Sequence, residues 1–373
     1  MPVHDAVVVG GGPAGTYLAK RLAEAGRDVV LLERTLGPHQ KVCGEFLSHE
    51  AIFYLKRVGL DPVRMGAVPI STVALIRNHA VTSVKLPFPA VSLSRYRLDE
   101  ALITAAGDAG AVVRRGCRVR SIRRHHNAWH VEGDEDAVMA RDVFIASGKH
   151  DIRGWKRPPG RHADLIGFKQ QFRLAFPQAR DASNRVELFM FAGGYCGLEP
   201  VEGGICNISL VIRKSRFADL GSWEGLWEGM LADSPMLAER MRDAVPVSDR
   251  PLAIGAIPYG YVRTHSEGPW HLGDQAAVIP SFAGNGISMA LHSAHLAARH
   301  YLAGQPADRF QQAFARDVRR QVHNATLLSR LLVSPLTQGL LSAGARYLPG
   351  AMRSVAAGTR LPLTEQPLVT GAR

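Results

Sequence analysis

The chain has 373 residues, 46% of them hydrophobic and 21% charged, which is room for one large globular domain or two interlocked ones. No apolar run approaches the roughly 18 residues of a membrane-spanning helix. The N-terminus, MPVHDAVVVGGG, enters an apolar strand with no basic leader, so the expected location is cytoplasmic, with at most peripheral membrane contact. The net charge of +12 comes mainly from arginine. Its densest cluster, RRGCRVRSIRR at 114–124, alternates like a strand with one solvated face. No nucleic-acid motif accompanies it, so no nucleic-acid partner is expected. The four cysteines, at 43, 117, 196 and 206, form no C-x-x-C pair. Neither a metal site nor a disulfide framework is indicated, and free thiols suit a reducing compartment.

Taken in chain order, the first third reads β-α-β. Residues 6–10 form a short buried strand, 13–25 a helix and 28–32 a second buried strand. A helix over 94–107 follows, then strand-like segments at 111–113, 117–122, 128–132 and 140–146. The middle changes texture. Residues 164–174 and 186–213 alternate apolar and polar positions around Gly-Gly turns at 193–194 and 203–204, as antiparallel sheet does. Residues 222–242 read as a helix. After about 265 a strand, a glycine-rich turn and a helix at 285–302 return, followed by a helix at 306–332. The last dozen residues, with two prolines, read as frayed.

Gly10-Gly11-Gly12-Pro13-Ala14-Gly15 matches G-x-G-x-x-G. It leaves a strand and opens a helix, which is the context that makes this motif specific. Gly10 permits the tight turn, Gly12 lets a pyrophosphate approach the backbone, and Gly15 lets the helix pack close to the strand. The helix N-terminus offers unpaired N–H groups to the phosphates. Glu33 ends the second strand 18 residues after Gly15, placed to accept hydrogen bonds from ribose hydroxyls. The motif alone does not choose FAD over NAD.

The far end makes that choice. In WHLGDQAAVIPSFAGNGISMALHS, residues 270–293, a strand ends at Gly273-Asp274 and a loop leads through Gly284-Asn285-Gly286 into a helix. The pair closely resembles the second FAD motif of the p-hydroxybenzoate hydroxylase superfamily. The resemblance implies that Asp274 hydrogen-bonds the ribityl chain. It also implies that the loop brings backbone up to the isoalloxazine, and that the helix entered through Ile287 aims its N-terminus at the ring edge where reduced flavin is negative. Arg95-Tyr96-Arg97-Leu98-Asp99 resembles the R-x-x-L-D helix start of the same superfamily, which puts Arg95 near the cofactor. Val119 falls where that family's adenine-contacting residue lies. Arg34, Gly44, Pro13 and Ala14 complete the expected cofactor-binding set.

Lys41-Val42-Cys43-Gly44-Glu45-Phe46 resembles a segment of geranylgeranyl-reductase-like flavoproteins. In that branch the cysteine lies close to the flavin, so Cys43 is the catalytic candidate, either proton donor or substrate-facing thiol. It reads equally as a small buried hydrophobe. Two departures stand out. Aromatic hydroxylases carry Asp-Gly where this chain has Ser147-Gly148 in ASGKH, and no second G-x-G-x-x-G unit exists for a nicotinamide. NAD(P)H is therefore expected only as a transient reductant, or electrons come from a donor protein. The halogenases' W-x-W-x-I-P signature is absent.

The histidines show no ligand spacing. His292 and His295 belong to the helix after the flavin loop. Residues 310–332 carry Phe310, Phe314, Val318 and Val322 at four-residue spacing, then Leu327, Leu328, Leu331 and Leu332. A helix packed on the cofactor domain and a membrane-surface helix both have this pattern.

The expected fold class is α/β, a Rossmann-like FAD-binding domain of the p-hydroxybenzoate hydroxylase type with an interposed antiparallel-sheet substrate domain. The FAD domain comprises 1–62, 95–160 and 265–332, the sheet domain 63–94 and 161–264, and a helical tail 333–373. The expected function is an FAD-dependent oxidoreductase acting on a lipophilic isoprenoid, phenol or polyketide, reductase-like. The alternatives are a monooxygenase using NAD(P)H and O2, and a flavin-binding protein without turnover.

Overall fold

A computed structural model describes residues 2–134, 136–347, 350, 358, 360 and 361; of the tail expected to fray, 362–373 lie outside these. The chain opens with β1 (Val3–Val9), α1 (Pro13–Glu24), β2 (Val29–Glu33), β3 (Phe46–Leu47) and α2 (His49–Arg57). It continues through β4 (Val68–Arg77), β5 (Ala80–Ser92), α3 (Arg95–Asp108), β6 (Val112–Arg115), β7 (Ser121–His125), β8 (Ala128–Glu132) and β9 (Ala137–Ile145). The middle holds β10 (Leu165–Arg173), α4 (Phe176–Ala182), β11 (Arg185–Phe191), β12 (Gly194–Val201), β13 (Ile205–Arg213), α5 (Lys214–Leu220), α6 (Trp223–Asp233), α7 (Pro235–Arg240), β14 (Val245–Pro246) and β15 (Leu252–Gly255). The end holds β16 (Trp270–His271), α8 (Gly286–Leu302), α9 (Ala307–Leu332) and α10 (Pro335–Tyr347).

The first sheet runs β6-β2-β1-β9-β8-β7, with β16 also on β9. Strands β6, β2, β1, β9 and β16 are parallel. The valine and leucine runs of β1 and β2 are buried on both faces, as β-branched runs in a covered parallel sheet must be. One face packs Ala6, Val8, Val29 and Leu31 against Tyr17, Leu18 and Leu22 of α1 and the inner side of α8. The other packs Val7, Val9, Val30 and Leu32 with Ile122, Trp129 and Val131.

The second sheet runs β14-β10-β13-β12-β11-β4-β5-β3, with β15 also on β10. It is antiparallel except where β11 lies parallel to β4, a pairing that joins two distant pieces of chain. Strand alternation gives this sheet two characters. On one face Phe168, Phe172 and Phe189 pack on Leu226, Met230 and Leu237 of α6 and α7. The opposite face carries Lys169, Gln171, Glu199 and Asn207, all buried.

Two expectations need correction. The helix over 222–242 is two helices. Ser234 is extended, its side chain accepts from the Leu237 amide, and Pro235 cannot donate back into α6. The strand at 117–122 begins only at Ser121, because Gly116 turns left-handed at φ 73° and Cys117 donates its amide to the Glu33 carbonyl. In α9, Phe310, Phe314, Val318 and Val322 are buried in the main core. Leu332 is buried as well, whereas Leu327 and Leu331 face outward.

Candidate functional site

The glycines of the first turn serve different purposes. A Cβ on Gly10 would lie 2.4 Å from the Ala146 carbonyl oxygen, and one on Gly15 would lie 2.0 Å from the Gly10 oxygen. Both are demanded by packing inside the protein. At Gly12 a Cβ would meet only an Arg95 guanidinium nitrogen, at 3.5 Å. Gly12 is also the N-cap of α1, and no side chain caps it among the described residues. The first amides of α1 therefore look onto open space beside a guanidinium, a seat for an anion.

Glu33 is buried and accepts from the Gly11 amide at 2.7 Å, the Thr35 amide at 3.0 Å and the Thr35 hydroxyl at 2.8 Å. Burial pushes its carboxyl up, but Lys41 and these hydrogen bonds outweigh burial and hold it below the ordinary range. It braces the glycine turn as well as standing at the end of β2. Arg34, next along, is exposed. Val119 lies in the irregular stretch before β7 and packs on the back of the first sheet.

Arg95 begins α3 and forms a two-pronged ion pair with Asp99, both bonds 2.7 Å. Lys41 reaches the same carboxylate at 2.9 Å. The Arg95 guanidinium lies beside the Cys43 side chain, and the Glu45 amide donates to the Cys43 sulfur at 3.3 Å. One arginine thus spans from Gly12 to Cys43.

The Cys43 segment is held from below by the second sheet. Asn207 donates to the Cys43 carbonyl at 3.1 Å. Glu45, left-handed at φ 66° and fully buried, accepts from the Arg95 amide at 2.8 Å, from Gln171 at 3.2 Å and from Lys169. Burial pushes the Glu45 carboxyl up, and the Lys169 ammonium pulls against it. Behind Gly44 stands Glu199, whose Oε1 is 3.4 Å from where a Gly44 Cβ would sit. Burial drives its pKa up to about 8, although Ser92 donates to it at 2.9 Å. Glu199 is therefore a neutral carboxyl at neutral pH.

The second motif packs against the first. Gly273, at φ 55°, lets the chain press on Ala14, and a Cβ there would be 3.3 Å from the Ala14 Cβ. Asp274 follows, half-buried. Arg157 donates to its carbonyl at 2.7 Å, to the Lys149 carbonyl at 2.9 Å and to Asp151 at 2.7 Å. Gly284, left-handed at φ 64°, lies against the Phe46 ring, and a Cβ there would be 2.8 Å from it. Asn285 precedes α8 without a side-chain cap among the described residues, and the space around Gly286 is open. Ile287 is buried in the first turn of α8. Ser147 is tied to the His150 carbonyl at 2.6 Å, and its neighbour Lys149 donates to the Val42 carbonyl at 2.6 Å.

Two helix starts without a side-chain cap among the described residues, an open approach at Gly12 and a carboxylate after Gly273 are thus joined by the contacts of Gly273 with Ala14 and of Gly284 with Phe46, three residues from Cys43. The donor set fits FAD: amides and a guanidinium for the pyrophosphate, carboxylates for sugar hydroxyls, and a helix start for the anionic ring edge. The sequence had pointed to Gly10–Gly15, Glu33, Arg95, Cys43, Gly44, Asp274 and Gly284–Ile287, and the fold brings these together. Lys169, Gln171, Asn207, Glu199 and Arg157 carried no sequence signal beyond being polar residues in otherwise apolar strands or in a loop.

Comparison with known proteins agrees. Residues 4–137 match the family model described as "FAD binding domain". The chain is 29% identical over 300 residues to digeranylgeranylglycerophospholipid reductase 2 of Methanopyrus kandleri, covering 77% of this chain and 74% of that one. It is 29% identical over 339 residues to menaquinone reductase of Mycolicibacterium smegmatis, covering 82% and 78%. Among solved structures, the myxobacterial chondrochloren halogenase CndH superposes with a TM-score of 0.77 over 95% of this chain and 91% of that one, at 21% identity, which speaks to the fold alone. Fold, site and relatives define an FAD-dependent oxidoreductase. Within that class the chain carries an FAD-binding domain over residues 4–137 and is similar over most of its length to digeranylgeranylglycerophospholipid and menaquinone reductases.

Proposed function

We propose that this enzyme reduces a carbon–carbon double bond in a lipophilic molecule of isoprenoid or prenylated-quinone type. The observation that carries this reading is the placement of Cys43, a half-buried thiol beside Arg95 and the Glu45 amide, on the segment that runs from the first FAD motif over the polar face of the second sheet. The names of the reductase relatives support the same direction. Bound FAD supplies the hydride chemistry. The residues proposed to hold it are Gly10, Gly12, Pro13, Ala14, Gly15, Glu33, Arg34, Gly44, Arg95, Val119, Asp274, Gly284, Asn285, Gly286 and Ile287.

The chain's own part is the proton and the geometry. Cys43 donates a proton to the carbon opposite the one that receives hydride. Hydride plus proton adds two hydrogens to the alkene. Arg95 and the Glu45 amide stabilise the sulfur as it loses its proton. Lys169, Gln171 and Asn207 keep the segment seated. Residues 1–62, 95–160 and 265–332 form the cofactor unit, 63–94 and 161–264 the substrate unit, and 333–373 the tail. No second dinucleotide turn is present in the sequence, so the electrons come from transiently bound NAD(P)H or from a donor protein.

The test is anaerobic. The purified holoenzyme is reduced with dithionite and given geranylgeranyl lipid or menaquinone while flavin absorbance is followed. Reoxidation without oxygen and a product two mass units heavier are expected. Absorbance that recovers only in air, with a product sixteen units heavier, refutes the reading in favour of monooxygenation. Cys43→Ala should slow the anaerobic step by roughly a hundredfold.

A further inference from the structure

Gln338 and Ala345 mark the inner face of α10; both are buried. Gln338 donates to the carbonyls of Phe191 at 2.9 Å, Gly194 at 3.2 Å and Leu332 at 2.7 Å. At the 3.6-residue period of a helix, the face opposite Gln338 carries Leu336, Leu340, Ala343 and Tyr347. Leu336 is 89% exposed, Leu340 75% and Tyr347 78%. Apolar side chains therefore line the side of α10 turned away from the protein, the reverse of a helix that only covers a core.

The stripe continues onto α9. Arg316, Arg320, His323, Leu327 and Leu331 share one helical face, and all are exposed. Its first half is basic and its last half leucine. The Thr337 hydroxyl bonds the Leu331 carbonyl at 2.6 Å, so the leucine end of α9 adjoins the start of α10. From Arg309 to Tyr347 the sequence holds six arginines and one acid, Asp317, and that acid is bonded to His292 at 2.9 Å.

A basic recess opens beside this stripe. A cavity of about 350 Å³ is lined by Arg161, His162, Asp164, Arg213 and Arg330. Arg161 pairs with His323 at 3.0 Å, and Arg330 donates to the Arg161 carbonyl. Arg213 Nε and the Nδ1 of the buried His162 have no hydrogen-bond partner among the described residues. Three guanidinium groups against one carboxylate form a seat for an anionic oxygen cluster.

We propose that the outward faces of α9 and α10 dock the protein on an anionic lipid surface, with Leu327, Leu331, Leu336, Leu340 and Tyr347 entering the interface and the Arg161–Arg213–Arg330 recess taking a lipid phosphate. Charge decides between occupants. A second copy of this chain would set arginine against arginine, whereas an anionic bilayer presents the opposite charge over the whole stripe. No described helix is long and apolar enough to cross a membrane, so the contact is interfacial.

Flotation of the full-length holoprotein tests this, and it reports on the surface whatever the reaction catalysed. Vesicles of phosphatidylcholine alone are compared with vesicles of phosphatidylcholine and phosphatidylglycerol. The protein should float with the anionic vesicles and be released by salt. Leu336→Gln with Leu340→Gln should weaken partitioning on the order of a hundredfold, while flavin content and turnover of detergent-dispersed substrate stay unchanged. Arg320→Gln with Arg330→Gln should lower only the anionic binding, by roughly tenfold or more. A protein that floats with neither vesicle, or whose leucine variant floats as well as the parent, overturns the proposal. So does a leucine variant whose only change is conversion of a dimer to a monomer by light scattering, which would make the face an interface between copies.

Discussion

Glu199→Gln isolates the displaced carboxyl behind Gly44. The folded protein holds this group at about 8, against an ordinary value of about 4.5, with burial as the main cause. Folding thus takes up a proton. Below pH 4.5 both states hold that proton and the folded protein suffers no loss. Between about 4.5 and about 8 the unfolded chain ionises while the folded one stays neutral, and stability falls by roughly 1.4 kcal/mol per pH unit. Above about 8 the loss levels off at on the order of 5 kcal/mol. Glutamine keeps the volume and can still meet Ser92 and Asn207, but it does not titrate. The assay is urea unfolding of both proteins at about pH 6 and about pH 8.5, where the variant's advantage should grow by about 3 kcal/mol. The difference between two proteins cancels groups that titrate alike in both. An advantage that stays constant between the two pH values refutes the assignment of a neutral buried Glu199.

Gly12→Val should give a folded protein without flavin, because the added side chain enters open space; Gly15→Ala should instead lose on the order of 3 kcal/mol of stability, since its Cβ meets the Gly10 oxygen. Bound-flavin absorbance together with thermal unfolding separates the two, and a yellow Gly12→Val protein would remove that turn from the cofactor site. Glu33→Ala should weaken FAD roughly ten- to a hundredfold in a fluorescence titration, and an unchanged affinity would leave Glu33 as a brace for Gly11 only. Lys169→Met strands the buried Glu45 carboxylate and should cost about 3–5 kcal/mol in urea unfolding. Adding Glu45→Gln should recover much of that loss, and a double variant no better than the single would deny the pairing.

Much of the cofactor half was legible in the sequence because its chemistry is local. A strand, a glycine turn and a helix start must follow one another within a few residues to present amides to a phosphate, so Gly10–Gly15 and Gly273–Ile287 read directly. Burial on both faces left unbroken valine and leucine runs in β1 and β2. Long-range pairing left no such trace. Gly44 backs onto Glu199, Cys43 is carried by Asn207, and Glu45 meets Lys169 across more than a hundred residues. Each of those strand residues looks from the sequence like one polar position in an alternating pattern, and only the register of the sheet decides which face it occupies. The split of α6 from α7 turned on one extended serine before a proline, and the late start of β7 on one left-handed glycine. Along α9 and α10 the sequence set out the period of the leucines. Whether a leucine met the core or the solvent was decided by what packs beside it: Phe310 and Val322 found the cofactor domain, and Leu336 and Leu340 were left facing out because Gln338 holds the opposite side of their helix to the sheet.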